Sequence, residues 1–350
     1  MKFSDWPALR GAGLALLAAT LFGVSTPLVQ RAGQGLGAFS TAALLYAGAA
    51  IVGALLRRPV QQEAALRSGD LRRVAWMALF GAAIGPVALA WGLQRTSTTS
   101  ASLMLTLEAL FTVLLARILY HEQMDRRVWL AMLLLLAGGL VLVNDRGSVG
   151  GAPLIGLLAV LAATAAWGVD NTLSRALAER DPGQVVLAKS SLGALVTAAL
   201  ALGVGEPMPS PAPAIALVAI GATGYGLSLR LYLLAQRAFG AARTGSVFAF
   251  APFIGALLAI AMGDRSSSVA AAAGGALMLA GVALHLAESH RHAHVHELTE
   301  HEHFHAHDDG HHDHSHDDAV LADAHSHPHR HEPLRHSHAH VPDVHHLHRH

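Results

Sequence analysis

Apolar residues run along this chain in blocks of about twenty, with charged residues and prolines gathered between the blocks. A helix crosses the hydrocarbon core of a bilayer with about 20 residues, so each block predicts a membrane span. The blocks lie at 12–30, 38–56, 74–93, 100–119, 128–144, 153–173, 185–204, 213–235, 243–262 and 269–287. Between them stand Arg57-Arg58-Pro59, Asp125-Arg126-Arg127, Asn144-Asp145-Arg146, Asp181-Pro182-Gly183, the run from Pro207 to Pro213, and Asp264-Arg265. The expectation is an all-α integral membrane fold of ten transmembrane helices. Several blocks are short and rich in Gly and Ala, which lets helices approach closely in lipid; Gly81 and Gly85 form one small-xxx-small pair. Lys2, Arg10 and the apolar stretch after Gly11 resemble a signal peptide, but the stretch runs too long for one and nine more blocks follow, so it reads as a retained first span.

Composition agrees and narrows the class. The chain is 53% hydrophobic and only 14% charged, where a soluble domain carries about 25% charged residues. That excludes a disordered chain and an ordinary soluble enzyme. With no cysteine, disulfides, thiolate metal sites and cysteine nucleophiles are excluded as well. Lys and Arg between the blocks fall 14 on one face and 4 on the other. The positive-inside rule then places both termini in the cytoplasm of a bacterial-type inner (plasma) membrane.

The chain also repeats itself. Leu17-Ala18-Ala19-Thr20-Leu21-Phe22-Gly23-Val24 aligns with Ala162-Ala163-Thr164-Ala165-Ala166-Trp167-Gly168-Val169, and Leu93-Gln94-Arg95 aligns with Ala235-Gln236-Arg237 at nearly the same offset. Two five-span units follow, 12–144 and 153–287. Five is odd, so the units cross the membrane in opposite senses, an architecture of secondary transporters whose substrate site lies near the midplane between the halves.

The Phe22-Gly23 and Trp167-Gly168 elements carry a family resemblance. So does the stretch from Glu108-Ala109-Leu110-Phe111 to Leu119-Tyr120-His121-Glu122, followed by a span ending Gly138-Gly139-Leu140-Val141. Together they resemble the EamA-type transporters of the drug/metabolite transporter superfamily. Pro252 and Asp264 stand where the second half of that family usually has Pro and Glu. The resemblance covers about 12–287 and implies a small-solute carrier, usually an exporter, driven by ion gradients or exchange. It does not name the cargo.

Ionisable side chains at membrane depth are expensive, and they pair or line cavities. Glu108 and Arg230 come from opposite halves and are expected to face a central cavity. There Glu108 would carry a proton or cation, with Arg230 as its partner or as an anchor for an anionic substrate. A static ion pair fixing the packing of the halves is the structural alternative. Lys189 is long enough to snorkel to the interface. Asp170-Asn171 reads as a polar gate or a helix cap, and Glu122 as a cap at the membrane boundary. Trp91, Trp167 and Tyr225, with Tyr232, either line a cavity for an organic substrate or anchor the interface. Pro27, Pro86 and Pro252 should bend or break their spans, although they are not at equivalent places in the two halves.

Residues 288–350 are a different material. Of 25 histidines, 23 lie here. They run His290, His292, His294, His296; His301, His303, His305, His307; His311, His312, His314, His316; and His325, His327, His329, His331, and continue to the end of the chain. A spacing of two puts alternate side chains on one face of an extended chain and does not suit a helix. Too few large apolar residues remain to build a core, so a disordered tail is expected. Imidazole with carboxylate suits nickel, cobalt or zinc. The body implies no cofactor, and the tail is where a divalent metal would bind. The neutral formal charge hides this division: the tail sums to −8 and the body to +8.

No catalytic residue is assigned. Ser-His-Asp order, His-Glu-x-x-His and a phosphate-binding Gly loop are absent, and Gly33-Gln34-Gly35-Leu36-Gly37 lacks dinucleotide spacing. The partners implied are the lipid bilayer and a small-molecule or metal-ion substrate, with no nucleic acid and a homodimer left open. The expected function is a secondary transporter exporting a small solute by alternating access. The alternatives are a divalent-metal exporter whose tail captures the ion, and a membrane-anchored metal sensor.

Overall fold

A computed structural model of the chain describes residues 7–58, 63–120, 126–144, 152–177, 180–239, 241–264 and 269–286, and in the tail 290–295, 299–305, 325–331 and 335–340. The body is all helix: α1 (Pro7–Ala32), α2 (Ala38–Leu56), α3 (Leu71–Met77), α4 (Gly85–Leu93), α5 (Thr98–Met104), α6 (Leu107–Tyr120), α7 (Arg126–Val143), α8 (Ala152–Ser174), α9 (Pro182–Gly203), α10 (Pro211–Ile220), α11 (Ser228–Phe239), α12 (Ala241–Phe248), α13 (Ala251–Ala261) and α14 (Val269–Leu286). Joined end to end, these give 9 helices long and apolar enough to cross a membrane among the described residues, plus the shorter apolar helix Val269–Leu284. Over their described residues the ten expected blocks are helical apart from their ends and two short breaks.

Each half interrupts its third and fourth spans at matching places. A seven-residue π-helical segment, Ala78–Ile84, joins α3 to α4, and another, Gly221–Leu227, joins α10 to α11. The fourth spans break at Leu105-Thr106, between α5 and α6, and at Ala249-Phe250, between α12 and α13. Prolines mark only one member of each pair. Pro86 opens α4 and Pro252 opens α13, whereas Pro27 sits inside the continuous α1.

The halves interlock. The first span of each half packs on the third and fourth spans of the other: α1 lies against α11 and α13, and α8 against α4 and α6. The second spans α2 and α9 pack on one another, as do the fifth spans α7 and α14. Small residues permit these approaches. At the α7–α14 crossing a Cβ on Gly138 would lie 2.7 Å from the Gly274 carbonyl oxygen. Large apolar side chains such as Leu55, Leu133, Leu195 and Leu257 are exposed on the outside of the bundle, where lipid would cover them. Ser, Thr and a few charged residues occupy the interior.

In the tail, β1 (His290–Val295) pairs antiparallel with β4 (Arg335–His340), and β2 (Thr299–His305) with β3 (His325–His331). These segments are extended. Each ladder has two strands, a size that adds no core and is marginal alone in water. His296, His307, His311, His312, His314 and His316 lie outside the described residues, as do His121 and Glu122.

Candidate functional site

Where the two halves meet, a cavity of about 60 Å³ is lined by Phe22, Tyr46, Glu108, Trp167, Asp170, Asn171, Lys189, Gly224, Tyr225, Ser228, Leu229, Tyr232 and Phe248. At ~15 Å³ per water-sized space, that is room for about four waters. Both halves contribute. The α5–α6 break starts a new helix at Leu107, which sets Glu108 in the first turn of α6 beside α8. Asn171 on α8 donates from Nδ2 to Glu108 Oε1 at 2.5 Å, a hydrogen bond between the halves. One residue earlier, Asp170 accepts through Oδ2 from Lys189 Nζ on α9. Both members of this ion pair are buried, at 4% and 2% exposure. Asp170 Oδ1 is also buried and has no hydrogen-bond partner.

The π segment in the third span shapes the wall. The backbone N–H of Gly85 donates to the Phe80 carbonyl, five residues back. In that register the donor for the Gly81 carbonyl would be residue 86, which is proline and has no N–H. The freed Gly81 oxygen instead accepts from Tyr46 OH and, at 2.9 Å, from Trp167 Nε1. Gly81 also packs directly on the Asp170 carboxylate, and a Cβ on Gly85 would lie 2.8 Å from Trp167 Nε1. The small pair visible in the sequence therefore seats both Asp170 and Trp167.

Aromatic rings close the rest. Phe22 meets Trp167 edge-on at 5.6 Å, Tyr225 edge-on at 5.7 Å and Phe248 at 5.4 Å, while Tyr46 meets Tyr225 at 5.5 Å and Tyr232 meets Phe248 at 5.0 Å. Of the residues singled out from the sequence, Glu108, Asp170, Asn171, Lys189, Trp167, Tyr225 and Tyr232 line this cavity. Arg230 and Trp91 do not. Arg230 is half-buried among Arg58, Glu63, Asp181 and Arg237, so it is not the partner of Glu108. Trp91 packs under Arg95, whose guanidinium lies 3.8 Å from the ring centroid and donates to the Trp91 carbonyl at 3.0 Å. Lys189, expected to snorkel, points inward to Asp170. Tyr46, Ser228 and Phe248 were not singled out; no local pattern marks an aromatic or serine that faces a cavity.

The model of the EamA-like transporter family matches this chain twice, over residues 9–144 and 154–287. The chain belongs to the EamA-like transporter family. It is 26% identical over 232 residues to a protein described as an uncharacterized transporter from Methanothermobacter thermautotrophicus, covering 65% of this chain and 68% of that protein. A probable 4-amino-4-deoxy-L-arabinose-phosphoundecaprenol flippase subunit ArnE of Pseudomonas fluorescens is 38% identical over 77 residues, 22% of this chain and 64% of that subunit. One solved crystal structure shares the fold, with TM-score 0.57 and 23% identity over 78% of this chain and 95% of that chain. This EamA-like chain is thus an integral membrane transporter of the drug/metabolite type.

Carboxylates tie the two EamA-like units together at both ends of the cavity. At the arginine-rich end, Arg237 holds Glu63 through Nη1 at 2.8 Å and donates from Nη2 to the Arg180 carbonyl at 2.7 Å. Arg180 Nε donates to Asp70 Oδ2 at 2.9 Å, and Asp181 accepts from the Arg58 backbone at 3.0 Å. At the opposite end, Glu206 accepts from the backbone N–H groups of Phe39 and Ser40 at 3.1 and 2.7 Å. Asp264 accepts from the backbone N–H and Oγ1 of Thr99 at 2.9 and 3.0 Å. Each of these two acids follows a left-handed glycine that ends a helix, Gly205 (φ 73°) and Gly263 (φ 96°). From there each caps a helix of the other unit.

Proposed function

We propose that this chain is a secondary transporter that moves a small solute by alternating access. Glu108 is the coupling residue, and rocking of one five-helix unit against the other opens the cavity first to one side and then to the other. One observation carries the reading: the half-buried Glu108–Asn171 bond crosses between the units at the break in a span, where discontinuous helices of inverted repeats form transport sites. Asp170 and Lys189 neutralise one another beside it. Glu108 is then the cavity's uncompensated acid, able to give up a proton or cation as solute binds. Tyr46, Tyr225 and Tyr232 are the other titratable groups facing the cavity. With the arginine-rich face in the cytoplasm, export, the direction usual for this family, means that the cavity loads from that face and empties at the other.

The test is flux in vesicles reconstituted with the full chain. Glu108→Gln should abolish gradient-driven flux while the protein still inserts and folds, and Glu108→Asp should retain part of it. Wild-type flux in Glu108→Gln would return Glu108 to a packing role.

A second reading concerns the tail. The ladder register sets His290 opposite His340, His292 opposite His338 and His294 opposite His336, and in the second ladder His301 opposite His329, His303 opposite His327 and His305 opposite His325. Histidine thus recurs at every second position on both strands of each ladder, and this composition, imidazole interleaved with carboxylate, favours reversible binding of nickel, cobalt or zinc. On this reading the tail gathers metal on the cytoplasmic side, and whether metal is also cargo is decided by accumulation in cells.

A further inference from the structure

Resting on the transporter reading, we propose that the central cavity takes a small organic cation bearing ammonium N–H donors. Three observations point the same way. The ionisable side chains lining the cavity, tyrosines aside, are Glu108, Asp170 and Lys189, and their formal sum is −1. Lys189 is already committed to Asp170, so an anion would have to enter beside two carboxylates with no free positive charge to meet it. A cation meets the opposite situation.

The second observation is an acceptor that no side chain or backbone group meets. Asp170 is 4% exposed, and its Oδ1 is buried with no partner, while Oδ2 is held by Lys189. Buried acceptors are nearly always satisfied, and an orphan of this kind marks a place for a donor. Most donors on the wall are turned elsewhere, Asn171 Nδ2 to Glu108, Ser228 Oγ to the Ala18 carbonyl, and Trp167 Nε1 and Tyr46 OH to Gly81, while Tyr225 OH, itself without a partner, makes no bond to Oδ1. A ligand that brings its own N–H can satisfy Oδ1 where none of these side chains does.

The third is the wall. Phe22, Trp167, Tyr225 and Phe248 surround the acids with ring faces and edges, and an organic ammonium is attracted to ring faces as well as to carboxylates. A hard dication finds less here. Among the described residues no group of three or more His, Cys, Asp or Glu is placed to hold a metal ion, and the Lys189 ammonium lies against one of the two carboxylates.

Four small solutes that share a hydroxyl group separate the possibilities: ethanolamine, choline, glycolate and glycolamide, of which choline is the bulkiest by its three N-methyl groups. Radiolabelled solutes are exchanged into vesicles preloaded with the same solute, so that flux does not depend on a coupling gradient. The full chain should exchange ethanolamine well above protein-free vesicles. Choline, with the charge but no ammonium N–H, should exchange at least about tenfold less, the worth of a charged hydrogen bond, with its added bulk acting in the same direction. Glycolate and glycolamide should not move. Exchange of glycolate or glycolamide without ethanolamine overturns the cation assignment and leaves the transporter reading standing. Choline equal to ethanolamine overturns the role of Asp170 Oδ1. Movement of none of the four overturns the proposal for solutes of this size.

Discussion

The Lys189–Asp170 pair gives the sharpest prediction about stability. Both side chains are buried, and the carboxylate has no second partner in reserve, since Oδ1 is already without one. Lys189→Met leaves a buried carboxylate against Gly81 with nothing to balance it. Breaking a buried pair from one side costs about 3–5 kcal/mol, whereas replacing both partners by neutral groups of similar size is near neutral. At roughly 2 °C per kcal/mol for a chain of this size, the single variant should lose on the order of 6–10 °C in Tm. Asp170→Asn combined with Lys189→Met should recover most of that loss. The assay is thermal unfolding of detergent-purified protein followed by tryptophan fluorescence, repeated at several scan rates because such unfolding can be irreversible. A Lys189→Met protein as stable as wild type, or a double variant no better than the single one, would refute the reasoning. Either result would mean that water reaches the pair and screens it.

Two further outcomes follow from the ends of the molecule. Glu206→Gln weakens the cap on α2 by about 1 kcal/mol, which corresponds to about fivefold more frequent opening at that end; a cysteine placed at Ser228 should react correspondingly faster from that side, and an unchanged rate contradicts the closure role of Glu206. A chain ending at residue 288 should lose the nickel, cobalt and zinc binding of the full chain in equilibrium dialysis, and equal binding by both would remove the tail from the account.

How much of this was legible depends on the kind of signal. Spans are long-range averages of apolarity, so all ten helices could be read from the blocks, and the near-constant offset of Phe22-Gly23 to Trp167-Gly168 exposed the repeat. Glu108, Asp170 and Asn171 were visible because polarity inside an apolar block is costly wherever it occurs. The paired interruptions were not visible. Each depends on backbone register, and proline marks only one member of each pair, Pro86 in the first half and Pro252 in the second. The end contacts were hidden for another reason. Glu206 and Asp264 look like loop acids, and only the chain reversal at Gly205 and Gly263 brings them over helix starts more than 160 residues away. Arg230 was misplaced because depth along a span says nothing about which face of the helix it occupies. For Lys189, reach alone allowed two directions, and the nearby Asp170 decided between them.

The central claim is that the cavity between the units is reached alternately from the two sides of the membrane. The chain has no cysteine of its own, so Ser228→Cys supplies a single reporter on the cavity wall. Sealed vesicles of known orientation are treated with a membrane-impermeant maleimide on one side or the other, with the solute gradient applied in each direction. The account predicts labelling from both sides, with the favoured side switching as the gradient is reversed. Labelling confined to one side under every gradient, or from neither side while the protein remains folded, would contradict it.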